Sequence, residues 1–555
     1  MAEHMNAPVN SPSAPAVAAK NGWNLTRIDW ALIAAVIVAV ILARIIPGAR
    51  TIDDAYITFR YSRNIVEGIG FVYNPGAHVL GTTTPLYTLL MSLIAWLLHG
   101  DAYPNYALVV NTLADIGTAI MLGYLVRRVT GNRWLGSLLG FLWAICPASV
   151  TFAIGGMETS LVIFWMVGAV VLFVADNNVE SKNHRWTAIA FGVCLTFGFL
   201  TRIDSALWIG PLLAYQLIER FFKRQPPPWT TWISAGVTLL PWLIFSVAYF
   251  GSPVANTISA KSVAYLFQPG AAAIQLFRLM ATPFNEPGVL GAIGSEIAFI
   301  LYVPLVIIGM IAIVRKMPRL IPWLLYPWLY ALVFSIANPL MFRWYFLPPM
   351  PALFFILLCG LWAIIDSAQQ AVKRARHRPQ IPRSALVIGT IGLSVVGLLW
   401  VVASFSAWTL HPDDGQDQPA PQMAWTKFEL NYEDIAIRLR TKYGVTADTL
   451  VASADIGTVG YFSRAIILDT VGLVTPAISH YYPIDESMVA PGENYAVPPR
   501  LILDAKPMYF VTMEGYIHSS LSLDPIFQAE YKLVDIIPMD YFGTGMQLYQ
   551  RQSAP

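Results

Sequence analysis

Two adjacent carboxylates, Asp53 and Asp54, open the segment Thr51-Ile-Asp-Asp-Ala-Tyr-Ile-Thr-Phe-Arg60-Tyr-Ser-Arg63-Asn, just beyond a long apolar run. Paired carboxylates push one pKa up, which suits that group to proton abstraction. The same pair can instead cap a helix, because Asp is favoured at the N-cap and interacts well with the helix dipole. Residue types alone leave both roles open. Further ionisable groups fall where apolar segments begin or end: Glu158 after Gly155-Gly156-Met157, Arg202 and Asp204 in Leu-Thr-Arg-Ile-Asp, Lys261 in Ala255-Asn-Thr-Ile-Ser-Ala-Lys, and Arg343 in Asn338-Pro-Leu-Met-Phe-Arg-Trp-Tyr. Ionisable groups at membrane depth are costly and usually pair or serve function. Near an interface, snorkelling explains them equally well. A lipid-linked phosphate needs cations, with Arg giving a two-pronged grip. An attacking hydroxyl needs a carboxylate to take its proton. The acids and cations together fit transfer of a group from a lipid phosphate, outside the cytoplasm.

The elements that must position these groups are membrane helices. Of 555 residues, 56% are hydrophobic and only 12% charged, against about 25% charged in an average soluble domain. Eleven spans are expected, at about 30–47, 105–126, 134–154, 158–175, 186–202, 205–219, 229–250, 296–314, 320–337, 346–366 and 384–404. The segment Pro85–Leu98 is apolar but too short to cross, about 21 Å at 1.5 Å per residue; it reads as a helix lying along the outer face. Basic loops then fall on one side: Arg127, Arg128 and Arg133; Lys182 and Arg185; Arg220, Lys223 and Arg224; Arg315, Lys316 and Arg319; and Lys373 to Arg383. Short cytoplasmic loops collect Lys and Arg, so the N-terminus is expected in the cytoplasm, with the C-terminal domain outside a plasma membrane.

Charge divides the chain. Residues 405–555 carry a net −9, while the preceding part carries +11. The expected organisation is a disordered cytoplasmic stretch at 1–27, a membrane domain at 28–404 with its first outer loop at 48–104, and an extracytoplasmic α/β domain at 405–555. In that tail, His411 to Gln422 reads as a linker and Asn431 to Tyr443 as a helix. Strand-like runs follow at Leu450–Ser453, Ile466–Leu468, Met508–Thr512, Leu533–Ile537 and Met546–Tyr549. Arg60, Arg63, Asn64 and Glu67 share one helical face opposite Ile57, Phe59, Ile65 and Val66, which predicts an amphipathic helix on the membrane surface. Cys146, Cys194 and Cys359 lie in apolar runs without metal-ligand spacing. No basic face interleaved with aromatics points to nucleic acid. Asp455, Asp469, His480 and Asp485 are polar tail positions that could meet a glycan, or simply occupy turns.

Asp53-Asp-Ala-Tyr-Ile-Thr-Phe-Arg-Tyr, then Asn64-Ile-Val-Glu-Gly-Ile-Gly-Phe-Val-Tyr-Asn-Pro-Gly and Gly81-Thr-Thr-Thr-Pro, resemble the first outer loop of GT-C glycosyltransferases, multispanning enzymes that use polyprenyl-phosphate sugars. The order of Gly156-Met-Glu-Thr, Thr201-Arg-Ile-Asp, Asn256-Thr-Ile-Ser-Ala-Lys, Arg343 before Pro348-Pro, and Leu468-Asp-Thr-Val-Gly-Leu-Val-Thr-Pro with His480 resembles the terminal arabinofuranosyltransferase branch, which builds cell-wall arabinan. The resemblance implies inverting transfer to a glycan, lipid or protein hydroxyl. Asp53, in preference to Asp54, would be the base. Arg343, Lys261 and Arg202 would hold the donor phosphate, and Glu158, Asp204, Arg60 and His480 would line the acceptor side or the cavity. No particular cofactor is indicated, and a need for a divalent cation is left open. The main alternative is a transporter or flippase of lipid-linked sugars, for which an internal repeat is the expected mark; none is seen.

Overall fold

The structure is a computed structural model that describes residues 25–175, 184–286, 289–375, 383–409, 418–421, 427–540 and 542–552. The N-terminal stretch to residue 24, Lys182, Arg376, Arg378 and most of the expected linker lie outside the described residues.

The chain is a multi-pass membrane protein. Helices occupy every expected span: α1 (Arg27–Ile45), α4 (Tyr103–Thr130), α5 (Arg133–Ile145) with α6 (Pro147–Ile154), α7 (Thr159–Ala175), α8 (His184–Thr201), α9 (Ala206–Phe222), α10 (Trp229–Phe250), α13 (Gly291–Lys316), α14 (Ile321–Ala337), α15 (Met350–Ala375) and α16 (Arg383–Ser406). By length and composition, six helices among the described residues suffice to cross a membrane, and seven if α5–α6 is one bent span. The count of eleven therefore rests on the shorter helices as well. The 51° bend between α5 and α6 follows from Pro147, which lacks an N–H and disfavours helical geometry in its predecessor; Cys146 is extended at φ −57°, ψ 121°. Between the spans lie α2 (Asp53–Val66), α3 (Pro85–Leu98), α11 (Asn256–Ala264) and α12 (Ala271–Met280). The segment judged too short to cross is α3, with the expected bounds.

Small residues allow close helix contact where no hydrophobic force drives apolar helices together. A Cβ on Gly360 of α15 would stand 2.1 Å from the Leu305 carbonyl oxygen of α13, and one on Gly309 would meet that of Ile356 at 2.1 Å. Arg44 of α1 and Asp115 of α4 form a fully buried ion pair at 2.8 Å; Arg44 also donates to Ser149 and to the Val40 and Ala144 carbonyls, and Asp115 accepts from Ser160 and Trp143. Arg127 and Arg133 both reach Asp29 at the start of α1.

The tail begins with a two-stranded ribbon, β1 (Trp408–Thr409) and β2 (Ala420–Pro421), then α17 (Lys427–Thr441). Its five-stranded sheet uses all five expected runs: β3 (Leu450–Ser453), β4 (Ile466–Asp469), β5 (Tyr509–Met513), β6 (Tyr531–Pro538) and β7 (Gly545–Arg551), in the order β4-β3-β5-β7-β6. β3 runs parallel to both neighbours, with Val451 opposite Ile467 and Tyr509; β7 is antiparallel to β5 and β6. Helices α18 (Gly457–Ser463), α19 (Pro499–Ala505) and α20 (Pro525–Glu530) complete the domain.

One expectation is overturned here. The polar face of α2 does not lie on a membrane surface. Eleven of its 14 residues are buried, Arg60 and Arg63 among them. Arg60 donates to the carbonyls of Tyr73 (2.9 Å), Gly460 (2.6 Å) and Ala465 (2.6 Å), and Arg63 to that of Tyr461 (2.8 Å). Carbonyls of the tail accept from both guanidiniums, so α2 is clamped between the tail and the membrane helices.

Candidate active site

Two short hydrogen-bonded pairings set the start of α2. Arg50 N–H donates to the Ile154 carbonyl and Ile52 N–H to that of Gly155, each at 2.9 Å. The chain then turns through Gly156, whose φ of +74° suits glycine, and in which a Cβ would press on the Phe59 ring at 3.1 Å. This turn delivers Met157 and Glu158 to the place where α2 delivers Asp54. On another side, α11 is fastened by Asn256, which donates to the carbonyls of Gly472 (2.7 Å) and Leu473 (3.0 Å) in the tail, and by Thr257, which donates to that of Gly81 (2.6 Å). Asp469 holds the tail loop in turn, accepting from the N–H groups of Val471 and Val474 at 2.9 Å each.

These segments enclose a cavity of roughly 410 Å³, lined by Asp54, Glu158, Arg202, Asp204 and Lys261, the hydroxyls of Thr82 to Thr84, Tyr345, and Leu473 from the tail. Five of the nine expected site residues thus converge on one space. The other four do not line it. Asp53 is turned away and buried: its two oxygens accept from the N–H groups of Gly457 (3.0 Å) and Thr458 (2.7 Å) at the start of α18. It caps a helix, as one reading allowed, but a helix of the tail some 400 residues away. Arg60 serves the same interface. Arg343 has the Glu286 and Glu429 carboxylates as electrostatic neighbours. His480 is exposed on the tail, its Nδ1 2.7 Å from the Ala477 carbonyl.

The two aspartates part because successive helical residues are about 100° apart. Asp54, Ile57 and Thr58 face the cavity; Asp53, Arg60 and Arg63 face the tail. Asp54 stands 3.7 Å from Lys261, both side chains partly exposed to the cavity. Lys261 also lies 4.3 Å above the Phe342 ring. Burial disfavours its charge, but the Asp54 carboxylate together with Tyr345 and Asp469 outweighs that and keeps its pKa above the usual lysine value. Arg202 is enclosed by carboxylates: it donates to Glu158 (3.0 Å) and, through two nitrogens, to Asp204 (3.0 and 2.8 Å), with the Tyr345 ring stacked against it at 4.9 Å.

Behind Asp53 lie further acids that sequence reasoning missed or read as surface. Burial raises Asp53 to about 6, Asp455 to about 7 and Asp469 to about 6. It also lifts Glu429, on α17, well above the usual carboxylate range. Asp455 accepts a short hydrogen bond from Tyr432 (2.5 Å). Among the described residues no three His, Cys, Asp or Glu side chains are grouped to hold a metal ion.

Residues 422–550 match a family described as a domain of unknown function, DUF8728. A terminal β-(1→2)-arabinofuranosyltransferase of Corynebacterium glutamicum is 26% identical over 232 residues, 38% of this chain and 33% of the relative. The enzyme of the same description from Mycobacterium tuberculosis is 26% identical over 235 residues, 38% and 35% of the two chains. The chain thus matches about a third of the length of these curated relatives. Among solved structures, ArnT from Cupriavidus metallidurans bound to undecaprenyl phosphate superposes with a TM-score of 0.56 at 14% identity, over 94% of this chain and 98% of that one. The archaeal oligosaccharyltransferase AglB from Archaeoglobus fulgidus, in complex with an inhibitory peptide and a dolichol-phosphate, gives 0.51 at 12% identity, over 92% and 73%. The fold is therefore of the GT-C type: a polytopic helical membrane domain followed by a sheet-containing domain.

Proposed function

We propose that this chain is a glycosyltransferase that moves a sugar from a polyprenyl phosphate to an acceptor hydroxyl at the outer face of the plasma membrane, in assembly of a cell-envelope glycan. The observation that carries the reading is the Asp54–Lys261 pair on the wall of a membrane-edge cavity, in a chain sharing the fold of ArnT bound to undecaprenyl phosphate. The curated arabinofuranosyltransferases favour a related sugar transfer. In this reading residues 28–404 form the catalytic domain, residues 405–555 form the outer domain, and the N-terminus is cytoplasmic.

The chemistry follows from the two partners. Lys261 draws the donor phosphate towards its ammonium, leaving the Asp54 carboxylate free to accept a proton. The acceptor oxygen loses that proton to Asp54 and bonds to the anomeric carbon from the face opposite the phosphate. The bond from that carbon to the phosphate oxygen breaks, its electron pair leaves with polyprenyl phosphate, and the anomeric configuration inverts. Lys261 stabilises the charge that grows on the leaving oxygen. Asp54 replaces Asp53 as the base in this account, since both oxygens of Asp53 are engaged by α18. Arg202, gripped by two carboxylates, is assigned to the sugar side in preference to the phosphate.

The test is product formation from radiolabelled polyprenyl-phosphate sugars by the purified chain in detergent. Transfer to an added glycan, abolished in Asp54→Asn, is the expected result. No product from any donor that the protein binds would overturn the reading.

A further inference from the structure

Every cation in the cavity is not equivalent. Arg202 carries five N–H donors, and three of its nitrogens donate one each to Glu158 and Asp204. Two N–H groups remain beyond those contacts. Asp204 Oδ2 accepts from Tyr330 as well, at 3.3 Å, while among the described residues Oδ1 takes only Arg202 and keeps a lone pair. The cluster therefore presents donors and acceptors side by side, with a net charge of −1 when all three groups are ionised. All three residues line the cavity, and Glu158 and Arg202 are buried. A phosphate brought to it would meet two carboxylates within about 3 Å of the guanidinium. A hydroxyl group, which both donates and accepts, matches it at each end. Tyr345 neighbours both cations: its ring packs on Arg202, and it is also an electrostatic neighbour of Lys261.

We infer that Glu158, Arg202 and Asp204 form a hydroxyl-reading site for the sugar ring of the donor, selecting a neutral polyhydroxylated sugar against an anionic one. This rests on the proposed function and deepens it. The donor would lie across Tyr345, phosphate on Lys261 and ring hydroxyls on the cluster. A uronic acid or phosphorylated sugar would place a second negative charge against the Glu158 and Asp204 carboxylates.

Binding of four probes to the detergent-purified chain tests this: a polyprenyl phosphate alone, the same lipid carrying a neutral pentose, its singly deoxygenated pentose forms, and the lipid carrying a uronic acid. The neutral sugar is expected to tighten binding over the bare lipid phosphate. At least one deoxy form should lose about tenfold to a hundredfold, the range for a hydrogen bond to a charged group, and the uronic acid should bind more weakly than the bare lipid. Asp204→Asn and Glu158→Gln should lose the sugar's increment while binding the bare lipid phosphate as well as the wild type. The inference is overturned if wild-type affinity ignores every deoxygenation, if the uronic acid binds as tightly as the pentose, or if the variants lose the bare phosphate. The wild-type probe series needs no substitution, so a misfolded variant leaves the question decidable. If the wild type binds no polyprenyl phosphate at all, the proposed function itself falls, an outcome distinct from binding without sugar discrimination.

Discussion

The two sides of α2 meet very different surroundings. Towards the tail, Asp53 and Arg60 are buried and hydrogen-bonded to backbone groups of residues 457–465, with Arg60 also bonded to Tyr73 and Asn74. Towards the cavity, Asp54 has one distant ion-pair partner and open space. Charges on the first side fix a shape, because a buried polar group left without its partner is expensive. A charge on the second side remains available to a ligand. One 14-residue helix thus joins the tail to the membrane domain and presents a reactive group, and the stability of the first task sets the precision of the second.

That contrast can be broken from either side. The largest effect is expected for Arg60→Met, which removes the guanidinium's hydrogen bonds to the carbonyls of Tyr73, Gly460 and Ala465. A loss of about 3–5 kcal/mol should appear as a lowered melting temperature and faster proteolysis in the tail; an unchanged melting curve would show that this side is not what holds the tail. Asp53→Ala removes the cap of α18 and should cost about 2 kcal/mol in the same assay. On the cavity side, Lys261→Met should leave the melting temperature within about 0.5 kcal/mol of wild type, yet weaken polyprenyl-phosphate binding by roughly tenfold to a hundredfold, as expected for a charge-assisted contact.

The buried side should also show a pH dependence. Asp53, Asp455 and Asp469 are raised by burial to about 6, 7 and 6, above the roughly 3.9 of an unfolded Asp. The folded state then keeps protons that the unfolded chain has shed, so this contribution is fully present below pH of about 4 and is lost as pH rises through the folded values. The melting temperature of the tail should therefore fall between pH 5 and pH 8. A rise over that range would mean that the ionised forms are the ones the fold prefers.

Much of this architecture could be read before the fold was known, because periodicity and length carry it. Pro85–Leu98 is too short to cross a bilayer whatever surrounds it, and each apolar run of the tail sheet became a strand. The partners of charges could not be read. The polar face of α2 was evident from Arg60, Arg63 and Asn64, but nothing local distinguishes a lipid headgroup from a row of carbonyls some 400 residues later. Likewise Asp53 and Asp54 are chemically identical neighbours, and only the position of α18 decides which one is engaged. Arg202 drew attention as a cation, yet its character comes from Glu158 and Asp204, which close on it only through the α6–α7 turn and the α8–α9 connection. Tyr345 sat inside a segment already noted for Arg343, with no local sign that it, and not Arg343, borders the cavity.

The central claim, that Asp54 acts as the base while Asp53 holds the tail, is tested most directly by single-turnover transfer from a polyprenyl-phosphate sugar with Asp54→Asn and Asp53→Asn compared below their melting temperatures. Asp54→Asn should lose about 10²–10⁴-fold in rate, the range for general-base catalysis, with normal donor affinity and stability, while Asp53→Asn loses stability first and rate far less. Full transfer by Asp54→Asn, or the large rate loss falling on a stably folded Asp53→Asn, would contradict the account.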